Sequence, residues 1–164
     1  MAVTGFAREY CERLSMNVWE ELRKTDPEFA DFFRNFAFDE VVNEDDLDEH
    51  TRMMAILAAL LGCQGKEIYE EMLPAALRAG VTPVEIKEIV YQATAYLGIG
   101  RVYPFFRITN QVLEAEKVAL PLEEQGTTGI EDRVEKGEQA QVDIFGEGMK
   151  GFAASGPEES RHIN

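Results

Sequence analysis

The side chains in this sequence that could do chemistry are Cys63, His50, Glu70, Arg52 and Tyr96. Cys63 is the candidate nucleophile. It follows an apolar stretch and Gly62, and a place at the start of the next helix would favour its thiolate, with Lys66 three residues on adding positive charge. The alternative is a small buried apolar residue, since free cysteine is among the most buried types. His50 is the candidate proton-transfer group, or else a surface histidine at a helix start. Glu67, Glu70 and Glu71 lie at helical spacing, and a carboxylic acid among them could deliver a proton. A solvated acidic face is the other reading. Arg52 could grip a substrate carboxylate with two parallel hydrogen bonds, or form a structural ion pair with a nearby acid. Tyr96, with Tyr91 and Tyr103, could line a cleft or belong to the core. Cys11, between Tyr10 and Glu12, reads as structural. The only histidines are His50 and His162, so no cluster with metal-ligand spacing exists, and neither metal nor cofactor is expected.

The elements that must position these groups are helical throughout. Phe6, Tyr10, Leu14, Val18 and Leu22 recur every four residues, predicting an amphipathic helix over 6–23. Asp26-Pro27-Glu28 restarts a helix whose face carries Phe29, Phe32, Phe33 and Phe36. That face, extending to Phe38, is too aromatic to leave bare and should pack internally or against a neighbouring subunit. Met53 to Leu61 is apolar all round, which predicts a central buried helix. A helix from about Gln64 to Ala79 closes on Gly80. Thr82-Pro83-Val84-Glu85 is a capping box that opens another, running to Gly98. One more spans about Val102 to Lys117. No stretch reads as a strand. The fold class is therefore all-α: a compact domain of about six helices over 1–118, a Pro- and Gly-bearing linker over 119–129, and an extra C-terminal helical segment over 130–164.

That segment is anchored by Val134, Val142, Ile144, Phe145 and Met149. Its Val142-Asp143-Ile144-Phe145-Gly146-Glu147, followed by Gly156-Pro157-Glu158-Glu159, echoes Met16-Asn17-Val18-Trp19-Glu20-Glu21, followed by Asp26-Pro27-Glu28-Phe29. The echo would make the tail the opening helix of an incomplete second repeat.

The ordered blocks Leu47-Asp48-Glu49-His50-Thr51-Arg52, Ala76-Leu77-Arg78-Ala79-Gly80-Val81-Thr82-Pro83-Val84-Glu85-Ile86-Lys87-Glu88 and Gln92-Ala93-Thr94-Ala95-Tyr96-Leu97-Gly98 resemble the carboxymuconolactone decarboxylase family, within the wider alkylhydroperoxidase-like superfamily. The likeness covers roughly residues 45–116, and the tail is similar to the start of a second domain in two-domain members. The resemblance implies a helical domain that forms homo-oligomers and acts in aromatic catabolism, as a lyase on a small carboxylated lactone, or in thiol-dependent peroxide reduction, as a peroxiredoxin-like oxidoreductase. Peroxidatic members carry Cys-x-x-Cys and a histidine seven residues after the first cysteine. Here those positions hold Cys63, Lys66 and Glu70, so a reversible dithiol cycle lacks its second thiol. Glu70 takes the place of the relatives' histidine. The Tyr-x-Gly block, normally followed by an aromatic-Pro pair, continues as Ile99-Gly100.

Composition narrows the partners. With 31 Asp and Glu against 16 Lys and Arg, the formal charge is −15, and no basic stripe exists to bind nucleic acid or anionic lipid. Met53 to Gly62 is far shorter than the ~20 residues that cross a bilayer. The opening residues do not read as a secretory leader, and Cys11 and Cys63 do not make a disulfide framework, so a cytoplasmic protein with reduced thiols is expected. Three readings follow: a decarboxylase-type enzyme using Arg52 with Glu70 or His50, a thiol or peroxide-reactive protein using Cys63, and a non-catalytic helical assembly domain.

Overall fold

The computed structural model describes residues 2–16 and 20–157. The chain divides into two units, Met1–Leu122 and Glu123–Asn164. In the first, helices α1 (Gly5–Arg13), α2 (Leu22–Thr25) and α3 (Pro27–Asn35) lead through a π-helical turn (Phe36–Glu40) into the short α4 (Val41–Glu44). Four longer helices follow: α5 (Glu49–Gly62), α6 (Lys66–Arg78), α7 (Pro83–Leu97) and α8 (Ile99–Ala115). No strand occurs among the described residues, so the fold is all-α.

These four helices enclose the core. Met53, Leu57 and Leu61 of α5 meet Tyr69, Met72, Leu73 and Ala76 of α6, Ile86 and Val90 of α7, and Val102 and Phe105 of α8. The Tyr69 ring meets Phe105 edge-on, with centroids 5.0 Å apart. Its hydroxyl and that of Thr109, both buried, satisfy each other at 2.9 Å. Burial pushes the Tyr69 phenol up to about 12, so it stays a neutral hydrogen-bonding group.

Helix ends are set by local chemistry. Thr4, Asp48 and Thr82 each accept a hydrogen bond from the backbone amide three residues on, which caps α1, α5 and α7. At the other ends, α1, α5, α6 and α8 close with paired reverse bonds such as Gly65 N to Leu60 O and Gln64 N to Leu61 O. This closure needs a left-handed residue, supplied by Gly80 after α6 but by Ser15, Gln64 and Lys117 after the others. The helix expected over 6–23 therefore stops at Arg13: Ser15, at φ 54°, turns the chain. Val18, part of that expectation, lies outside the described residues.

One further expectation changes. α5 buries Met53, Leu57 and Leu61 but leaves Ala55, Ala58, Ala59 and Gly62 exposed, so it is apolar without being enclosed. Of the phenylalanine face, Phe38 is buried and Phe33 half-buried, while Phe29, Phe32 and Phe36 are exposed. In the second unit, α9 (Arg133–Phe145) ends at Gly146, a short 3-10 turn spans Glu147–Met149, and α10 covers Phe152–Ser155. Ile144 and Phe145 are exposed on α9. The echo around Asn17-Val18-Trp19 and Glu158-Glu159, and His162, fall outside the described residues.

Replacing Tyr69 by Phe strands the Thr109 hydroxyl in the core. Urea denaturation should show a loss of about 1–2 kcal/mol, and adding Thr109→Val should cost less than the sum of the two single changes.

Candidate functional site

Helices α5 and α7 run side by side with their N-terminal ends together, and an open groove of about 520 Å³ lies along them. Its walls are Met54, Ala58, Leu61 and Gly62 of α5, and Ile89, Ala93 and Leu97 of α7. The small side chains on α5 create it, because nothing longer than a methyl fills the space over Ala58 and Gly62. Its polar groups are Glu85, Glu88, Gln92 and Tyr96, all from α7.

At the N-terminal end the groove carries a titratable pair. His50, in the first turn of α5, places Nε2 3.1 Å from Glu85 Oε2. The same carboxylate oxygen accepts from the Thr82 backbone N–H at 2.7 Å and from the Thr82 hydroxyl at 2.8 Å, while the Glu85 N–H donates back to Thr82 Oγ1. These bonds, from the Thr82 amide first, then the Thr82 hydroxyl and His50, hold the Glu85 carboxyl at about 2, well below its ordinary range. Glu85 is thus an anion at neutral pH and only accepts hydrogen bonds. Nε2 of His50 must be the donor, which leaves Nδ1 as the nitrogen able to take up or release a proton.

The other expected site residues lie elsewhere. Cys63 is exposed but sits at the carbonyl end of α5, with its thiol on Leu60 O at 3.4 Å, not at the amide end of α6, which begins at Lys66 after Gly65. Thirteen residues of helix separate it from His50, roughly 20 Å at ~1.5 Å per residue, so the two do not act on one atom. Glu70 is an exposed residue of α6 and does not line the groove. Arg52 is only 8% exposed. Its guanidinium donates to Asp45 Oδ1 at 2.8 Å, Leu47 O at 3.1 Å, Val42 O at 3.2 Å and Val41 O at 3.5 Å. It ties α4 and the following loop to α5, beside a smaller cavity of about 280 Å³ that it lines with Tyr10 and Met53. Tyr96 is 86% exposed at the far rim of the groove. Cys11 is in the core, where burial pushes its thiol up. Of the expected residues, Tyr96 lines the groove and His50 adjoins it through Glu85. Glu88 and Gln92 were not anticipated, and Glu85 was read only as a helix cap. No three metal-ligating side chains converge among the described residues.

A sequence model of the carboxymuconolactone decarboxylase family matches residues 27–111, just over half the chain. The chain belongs to this family. The match runs from α3 into α8 and takes in both groove helices. Among individual family proteins, the chain is 31% identical over 80 residues to a 4-carboxymuconolactone decarboxylase of Acinetobacter baylyi; that stretch is 49% of this chain and 60% of the relative. No helix among the described residues is long and apolar enough to cross a membrane.

Because Glu85 titrates near 2 in the folded chain and near 4.5 when free, its stabilising effect is full above the ordinary carboxylate range and fades as pH falls toward 2. Wild type should exceed Glu85→Gln in urea-denaturation stability at about pH 6, and the gap should narrow at about pH 3.

Proposed function

We propose that this member of the carboxymuconolactone decarboxylase family is an acid–base enzyme that moves a proton on a small carbonyl compound held in the α5–α7 groove, with His50 as proton-transfer group and Glu85 as its positioning residue. The observation that carries this reading is the His50–Glu85 pair at the end of an apolar groove. An ionised carboxylate that receives Nε2–H fixes the ring's tautomer and orientation and stabilises the imidazolium formed when Nδ1 takes a proton. The curated relative is named for a decarboxylation. Loss of CO2 and double-bond migration share one step, return of a proton to an enolate carbon, and this is the step assigned to His50 in the proposal.

The expected roles of Arg52 and Glu70 find no support in the groove. Arg52 is committed to Asp45 and three carbonyls, and Glu70 is on another helix. The thiol reading keeps an exposed Cys63 but no partner thiol, since Cys11 is buried.

Deuterium uptake by α-angelica lactone in D2O, followed by proton NMR, tests the proposal. Wild type should accelerate exchange at the ring carbons, with His50→Gln at least about 100-fold slower and Glu85→Gln between them. A His50→Gln variant that matches wild type, or a wild type no faster than buffer, overturns it.

A further inference from the structure

We infer that the α5–α7 groove selects an uncharged lactone or ester and excludes carboxylates, with Glu88 as the charge-selecting residue; this rests on the groove being the place where substrate binds. Three observations converge. The acidic side chains lining the groove are Glu85 and Glu88, and no Lys or Arg lines it. Glu85 is shared with His50, whereas Glu88, half-buried on α7, has no hydrogen bond or ion pair among the described residues to offset its charge. The positive ends of the two helices, which would otherwise attract an anion, are already capped by this chain's own side chains: Asp48 accepts from Thr51 N, and Thr82 and Glu85 close the box on α7.

A carboxylate entering this groove would leave water, meet Glu88 and find no counter-charge, on a chain of net charge −15. An uncharged ring would lose only the water over Met54, Ala58, Ile89 and Ala93. The reaction class follows. A lactone without a free carboxylate has no CO2 to lose. The C–H bond beside the carbonyl breaks, its proton goes to Nδ1 of His50, and its electron pair delocalises into the carbonyl. The same proton then returns from Nδ1 to a different carbon of the conjugated anion. The double bond shifts, nothing is oxidised or reduced, and His50 ends neutral.

Two probes of one shape, coumarin and coumarin-3-carboxylate, separate the alternatives. Each is titrated into the full-length, nitrogen-15-labelled protein while the amides of Ala58, Gly62 and Ala93 are followed. Coumarin should shift these amides, and the carboxylate should bind at least about tenfold more weakly, the scale of one like charge about 12 Å away at an effective dielectric of about 20. Glu88→Gln should close most of that gap and Glu88→Lys should reverse it. Equal binding of both probes by wild type, or a gap unchanged in both variants, overturns charge selection and leaves the proton-transfer reading standing. Absence of shifts in the groove amides with either probe overturns the groove as binding place, and both readings fall together.

Discussion

The Glu85 carboxylate joins two helices at their most polar ends. It accepts the Thr82 amide and hydroxyl from its own capping box and the imidazole N–H of His50 from α5. Without it the first turn of α7 would have an unpaired donor and His50 would have no fixed tautomer. With it, the side-by-side arrangement of α5 and α7 is set at the end where chemistry is proposed, and the groove opens from that point along both helices.

The groove depends on what α5 does not carry. A helix with Leu at 58 and 62 would fill the space against α7, and Ala58 and Gly62 keep it open. A second stripe of α5, with Met53 and Leu57, is buried in the core, so the helix is anchored by one face while another is left bare. Arg52 serves that anchoring. By donating to the carbonyls of Val41 and Val42 in α4 and of Leu47 in the following loop, it holds that segment to α5, which a substrate-binding arginine would not be free to do.

The helical class, the α6 stop at Gly80 and the Thr82–Glu85 capping box were legible in the sequence because each has a local signature: periodicity, a glycine, a T-P-x-E string. The stop after Arg13 was less legible, since Ser15 adopts the left-handed turn that usually announces itself as glycine. Burial of α5 was over-read, because an alanine counts as apolar whether it is enclosed or bare. The site was half legible. His50 could be singled out as a titratable group, but its partner lies 35 residues away and was explained by capping alone. The signal that could have paired them is that Asp48 and Thr82 each start a helix, leaving His50 and Glu85 in two first turns. Arg52 was named for its chemistry, and only the fold shows its guanidinium already occupied.

The most direct test of the central claim is the nitrogen-15 spectrum of the His50 ring in the folded chain, assigned by comparison with His50→Gln. The account predicts that the neutral form of the ring carries its proton on Nε2 with Nδ1 bare, and that this preference is lost in Glu85→Gln. A ring with its proton on Nδ1, or one whose tautomer is untouched by Glu85→Gln, would contradict the positioning of His50 on which the proposed chemistry stands.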